Sequence, residues 1–354
     1  MGRPARGFWG CQIASLGILI VGIAGGGPSL AQAPASPYKP VFALSTAVGP
    51  AYPWGKGADD WARLVKERTA GRIVIRQFPG ASATGGDPSR EFAALRAGMI
   101  DLAVGSAMNW SAEVKALNLF ALPFMIGDVK ALDAVLRGDV GATLLRAVEE
   151  AGVVPLAWGD NEFREVSTTE RAVKKPADVA GLRLRVTGSA LVEEMLRALG
   201  ATTARMKWPD AQNALLGGTV DGQETAPQSF VATKAHTLNQ TRLTLWALAA
   251  DPLLFAVSRA AWEGWSPADR EIVKQAAVEA ARREVDASRA ATQAAVASLG
   301  REYKAAGVEV IRLSAEERAA FVGATKGVFD KWSGEIGPDL VRRAQEAIEA
   351  AKKP

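Results

Sequence analysis

The stretch Gly181-Leu-Arg-Leu-Arg-Val186 brings two guanidinium groups onto one side of the chain. Read with period two, Leu182, Leu184 and Val186 face one way and Arg183 and Arg185 the other, as in a strand packed on one face. The planar arginine fork donates two parallel hydrogen bonds to a carboxylate, which a lysine does not reproduce. Arg183 stands at the start of the strand and suits a solvated face. Arg185 lies nearer the carboxyl end, where open α/β sheets bind ligands.

Catalytic groups are scarce. His236 is the single histidine, so no His-based triad can be repeated and no HExxH or Cys/His metal cluster exists. Its setting, Lys234-Ala235-His236-Thr237, reads as surface or packing. Gly85-Gly86-Asp87-Pro88 lacks the spacing and the lysine of a phosphate-binding loop, and Glu193-Glu194 belongs to an exposed helix face. The reading is therefore a binding protein and not an enzyme. Trp54, Trp110, Trp158 and Trp208 fall at strand ends or helix starts, where a cleft would lie, although core packing is the alternative for each.

The elements that position these residues alternate. Strands are expected at Val41 to Leu44, Arg72 to Phe78, Ile100 to Val104 and Val153 to Trp158. Helices are expected at Trp54 to Thr69 and from the Asp87-Pro88 cap, around Phe92 and Leu95. A second αβ unit starts near residue 162. It has strands at Arg164 to Thr168, at 181–186, around Arg205 to Trp208 and near Thr219 to Asp221, with a helix from Ser189 to Leu199 ended by Gly200. This alternation predicts an α/β fold of mostly parallel sheet in two lobes with a cleft between them. From Ser266 and Pro267 the chain runs to Leu299 without another Pro or Gly, and the helical pattern reaches Ala306. Val273, Ala277, Ala280, Val285, Thr292 and Val296 form its inner side. The expected form is one long helix spanning both lobes, with two helices and an unmarked break as the alternative.

Arg3 and Arg6, the apolar run from Ile13 to Ala24, and the small residues of Ser29-Leu30-Ala31 read as an exported protein's signal peptide, residues 1–31, with an end as late as 35 as the alternative. The only cysteine, Cys11, lies inside it. Without Arg3 and Arg6 the chain carries 40 basic and 38 acidic residues, with no basic tract for nucleic acid.

In order and spacing, the arginine strand, Lys207-Trp-Pro-Asp-Ala-Gln-Asn-Ala-Leu-Leu-Gly217 and Thr219-Val-Asp-Gly-Gln-Glu224 resemble the dicarboxylate-type substrate-binding proteins of TRAP (tripartite ATP-independent periplasmic) transporters. Phe120-Ala-Leu-Pro-Phe124 and Gly159-Asp-Asn-Glu-Phe-Arg164 fit the same family. The resemblance implies a two-lobed periplasmic-binding-protein fold with a central cleft. Lobe I would be 38–161 plus about 250–285, and lobe II 162–249 plus about 286–354. It implies a periplasmic receptor that captures an organic acid and delivers it to an ion-gradient-driven membrane permease. By position, Arg185 would hold the substrate carboxylate and Arg164 would be a second ligand arginine, with Asn161 beside it. Trp208 would cover the ligand, Glu91 would face the cleft, and Asn109 and Trp110 would stand in a wall loop. Thr225 occupies a place where many members have Asn, and Ser106 one where a sugar-acid branch is acidic. No cofactor and no metal are implied. A receptor for an ABC importer or a chemosensor is the alternative function, followed by an exported α/β enzyme.

Overall fold

In the computed structural model, which describes residues 36–352, the strands gather into a single nine-stranded sheet. The segment read as a signal peptide, with Cys11, lies outside the described residues. The strands are β1 (Phe42–Thr46), β2 (Ile75–Phe78), β3 (Leu102–Ser106), β4 (Val153–Thr168), β5 (Arg183–Val186), β6 (Thr202–Arg205), β7 (Gly222–Thr225), β8 (Arg242–Ser258) and β9 (Glu309–Arg312). Their order is β2-β1-β3-β8-β4-β7-β5-β6, with β9 also on β8. The three strands at one end, β2, β1 and β3, run parallel, as do β7, β5 and β6 at the other.

The middle of the sheet departs from the expected parallel pattern. β4 and β8 are antiparallel to each other, β3 to β8, and β4 to β7. The two short strands expected at 153–158 and 164–168 are one strand of 16 residues. It passes through the polar Asp160-Asn161-Glu162 segment by a register shift between Asp160 and Phe163, with Glu162 left-handed at φ 63°. β8 has no counterpart in the sequence reading, because its near-continuous apolar run shows no period and contains Asp251-Pro252. Pro252 sits opposite Asp160, at that same irregularity. β6 and β7 lie three residues before and after their expected starts, so Gln223, Glu224 and Thr225 belong to a strand.

The long helix is one piece, Pro267–Leu299, capped by Ser266 Oγ accepting from the Asp269 N–H at 3.1 Å. At about 1.5 Å per residue it is roughly 50 Å long. It stops at Gly300, and a separate short helix, Glu302–Ala305, takes the place of its expected continuation. It packs on Pro53–Arg68 near one end, on β4 in the middle and on Pro227–Ala232 beyond. Val273, Ala277 and Ala280 are buried, whereas Val285, Thr292 and Val296 are half-buried. Glu284 and Ser288 take the inner positions at the crossing with β4. Glu284 accepts from the Asp160 N–H at 2.9 Å, Ser288 Oγ donates to the Asp160 carbonyl at 2.9 Å, and Arg289 Nε reaches the Asp160 carboxylate at 3.0 Å.

Apolar packing divides by side of the sheet more than by position along it. Leu184, Val186 and Met195 share one core with Phe92, Leu132, Trp246 and Phe321. Leu44, Trp61, Val65 and Phe255 close a second core with Val273 and Ala277 of the long helix. The C-terminal helix, Pro338–Lys352, packs on Val129–Arg137 and Asp139–Glu150.

Candidate functional site

Strand β5 sends Leu184 and Val186 into the core and separates the fates of its two arginines. Arg183 is exposed and paired with Asp221 at 2.5 Å, with the Gly218 carbonyl as a further acceptor at 2.8 Å. Arg185 is 8% exposed, and its Nε and Nη2 both donate to the Met206 carbonyl, at 3.2 and 3.0 Å. Among the described residues no carboxylate forms an ion pair with it. Burial pushes its guanidinium below the ordinary arginine range, the neighbouring Glu224 charge opposes that, and Arg164 adds to it. The Trp208 ring lies 6.0 Å from its guanidinium carbon.

Arg164, on β4, is matched inside the protein. It ion-pairs with Glu224 of β7, whose other oxygen accepts from the Thr187 N–H at 2.8 Å. Burial works against the Arg164 charge, and Glu224 together with Asp251 more than restores it. Asn161 Nδ2 donates to Asp251 Oδ2 at 2.8 Å, and Asp251 Oδ1 accepts from Ser106 Oγ at 2.5 Å and from the Met108 N–H at 3.1 Å. Asp251 is 4% exposed, and burial raises its pKa although Arg164 and these donors oppose the rise.

These side chains border a cavity of about 800 Å³. Arg185, Arg164, Trp208, Asn161, Asn109 and Thr225 all line it, together with Tyr52, Trp54 and Asp251. Glu91 and Trp110 do not: both were expected at the cleft, and both are buried behind its wall. Glu91 accepts from Ser45 Oγ at 2.7 Å, and burial raises its pKa to about 8. Trp110 stacks edge-on against Phe92 at 5.5 Å and fills the space that Gly105 leaves, where a Cβ would lie 2.0 Å from the ring. Of the four tryptophans read as cleft candidates, Trp54 and Trp208 are on the wall, and Trp158 packs on Phe120 instead. Tyr52, Thr187, Gln223, Gln228 and Asp251 are among the wall residues that the sequence reading missed; the one signal of Asp251 was an Asp-Pro pair inside an apolar run.

The cavity mouth is bridged. Lys207 Nζ donates to the Gly85 carbonyl at 2.9 Å, and Gly188 sits so close to Asn109 that a Cβ there would be 3.0 Å from Asn109 Oδ1. The mouth thus joins residues before β4 to residues after it. Among the described residues no group of three or more His, Cys, Asp or Glu side chains is placed to hold a metal ion, and no helix is long and apolar enough to cross a membrane.

Residues 44–335 match the family model described as bacterial extracellular solute-binding protein, family 7. A solved structure of a TRAP periplasmic solute-binding protein from Ralstonia eutropha, with bound (S)-2-acetolactate, is 50% identical with a TM-score of 0.85, and the match covers 88% of this chain and 100% of that one. Another, from Sulfurospirillum deleyianum with bound succinate, is 29% identical with a TM-score of 0.79, over 86% and 98% of the two chains. A C4-dicarboxylate-binding periplasmic protein of Rhodobacter capsulatus is 28% identical over 87% of this chain and 90% of its own. A Sinorhizobium fredii protein is 31% identical over 88% of this chain, which spans only 56% of that relative's length.

Proposed function

Because the chain belongs to family 7 of the bacterial extracellular solute-binding proteins, the DctP family, we propose that its cavity captures an organic acid whose carboxylate is held by Arg185. One observation carries this reading: Arg185 is a buried cation on the cavity wall whose only hydrogen-bond acceptor among the described residues is the Met206 carbonyl. A buried charge without a counter-charge is costly, and a carboxylate in the cavity supplies it. Arg164, already neutralised by Glu224, then serves as a second donor edge. Asn161, Asn109 and Thr225 are further polar contacts, and Trp208 and Trp54 cover the apolar body of the ligand. The acids bound by the two solved relatives fit that class.

The rest of the reading follows the family. Lobes of 38–161 with about 250–285, and 162–249 with about 286–354, close on the ligand by bending where β4, β8 and the long helix cross. The protein works in the periplasm after export through its N-terminal segment, and it hands the acid to a membrane permease driven by an ion gradient. It binds and does not catalyse.

A thermal-shift screen of ligand-free protein tests the anchor, with mono- and dicarboxylates, keto acids, sugar acids and aromatic acids as the panel. At 100 times its dissociation constant a ligand adds about 2.7 kcal/mol, a shift of several degrees. Arg185→Lys keeps the charge but loses the fork, so the dissociation constant of the responding acid should rise by about 30-fold or more. An acid that shifts both proteins alike would remove Arg185 from the site.

A further inference from the structure

Asp251 is an anion on the wall of a cavity whose proposed ligand is itself an anion, and that combination is chemically restrictive. Its Oδ1 is occupied by Ser106 Oγ and the Met108 N–H, whereas among the described residues its Oδ2 accepts only from Asn161 Nδ2. Each carboxylate oxygen accepts two hydrogen bonds, so Oδ2 keeps one acceptor position on a residue that lines the cavity.

The charges of the wall sharpen the point. Arg164 is committed to Glu224, and a ligand carboxylate would neutralise Arg185. Asp251 then shares the Arg164 charge with Glu224, so that Arg164, Arg185, Glu224, Asp251 and the ligand carboxylate together sum to one net negative charge. Of the remaining charges on the wall, Asp87 is occupied with the Ser89 N–H and hydroxyl. Arg205 is exposed and paired with Glu193, and Lys207 is exposed and donates to Gly85. The two rim cations are open to solvent, where screening is strong. A second ligand carboxylate would therefore bring another negative charge into a cavity already holding that of Asp251, whereas a ligand hydroxyl would give Asp251 the donor it lacks.

We propose that Asp251 is a specificity-determining residue, making the site selective for monocarboxylic acids that carry a hydroxyl group and unfavourable to dicarboxylates. This rests on the carboxylate reading at Arg185 and narrows it. The hydroxyl donates to Asp251 Oδ2 while the carboxylate lies on Arg185, so the two side chains read two different groups of a short acid.

Calorimetric titration with three named acids tests it: 2-hydroxy-2-methylbutanoate, its deoxy analogue 2-methylbutanoate, and succinate. Wild type should prefer the hydroxy acid to the deoxy acid by about 10–100-fold, the range of one hydrogen bond to a charged acceptor, and should bind succinate more weakly than the hydroxy acid. In Asp251→Asn the amide oxygen still serves Ser106 and Met108 while the charge is gone. There the hydroxy-to-deoxy ratio should fall by about tenfold, and succinate should gain about tenfold against 2-methylbutanoate. A wild type that binds acids with no preference for the hydroxyl overturns the inference without needing any variant to fold, and so does a folded Asp251→Asn protein that keeps both ratios. Either result leaves Arg185 as the carboxylate anchor. A wild type that answers none of these acids, nor any of the wider panel, overturns the carboxylate reading itself and this inference with it.

Discussion

At the scale of single residues, the most unusual group is Glu162. It has a left-handed backbone at φ 63°, and both its carboxylate oxygens are buried without a hydrogen-bond partner. Desolvation, and then the charges of Asp160, Glu165 and Glu284, raise its pKa to about 9, against a smaller opposing pull from Arg289. Glu91, at about 8, and Glu165, at about 7, are raised mainly by burial. The native state then holds protons that the unfolded chain releases near pH 4.5, so unfolding free energy falls as pH rises through these values. The unfolding midpoint should drop steadily from pH 5 to pH 9, and Glu162→Gln should flatten the upper part of that slope. An identical slope in the variant would show that Glu162 is ionised at neutral pH. Such groups are hard to read in sequence, since Glu162 looks like any polar residue in a loop until β4 is seen to run through it. Arg185 and Arg164 were legible because strand alternation and motif position both mark them. Asp251 was not, because it sits in an apolar run whose partner is 90 residues away in Asn161.

At the scale of elements, several caps, the helices Pro53–Arg68 and Ala190–Ala198 and the strands β1, β2, β3 and β5 were legible from local chemistry. The Ser266-Pro267 start, the Ser189 cap and the Asp87 cap all appear where the sequence marks them. The central pair was read only in part: β4 as two short strands split at its polar 160–162 segment, and β8 not at all because its apolar run shows no local period. Glu91 and Trp110 were misplaced for a related reason: a helix start near a cleft has an inner side as well as an open one. The crossing of the long helix over β4 is tight, and two glycines make it so. A Cβ on Gly159 would lie 2.7 Å from Glu284 Oε2, and one on Gly57 would lie 2.7 Å from Glu284 Cγ. Gly159→Ala should displace Glu284 from the Asp160 N–H and cost about 1–3 kcal/mol in chemical denaturation. Gly334, in the helix Lys326–Ile336, meets nothing within 4 Å of its missing Cβ. Gly334→Ala should therefore stabilise by about 0.5–1 kcal/mol through helix propensity. Equal effects of the two substitutions would deny the close approach at the crossing.

At the scale of the molecule, ligand binding is proposed to be coupled to the meeting of two halves, and the contact between Lys207 and the Gly85 carbonyl belongs to that meeting. It joins segments 122 positions apart across the cavity mouth while touching none of the buried charges. A ligand shifts a two-state equilibrium only by its differential affinity for the two states. Weakening the closed state from its rim should therefore lower apparent affinity without altering how the carboxylate is held. Lys207 is exposed, so its hydrogen bond contributes modestly, on the order of 0.5–1.5 kcal/mol. Lys207→Met should raise the dissociation constant of the bound acid by about two- to tenfold, with the change in the dissociation rate. Its unfolding midpoint without ligand should be unchanged, and its ranking of acids should match wild type. This pattern differs from the Arg185 variant, which loses affinity at the anchor, and from the Asp251 variant, which changes the ranking. Stopped-flow binding with the acid identified in the screen separates the three. An unaltered dissociation rate in Lys207→Met would mean that the rim contact forms equally with and without ligand, and that closure is governed at the crossing of β4, β8 and the long helix instead.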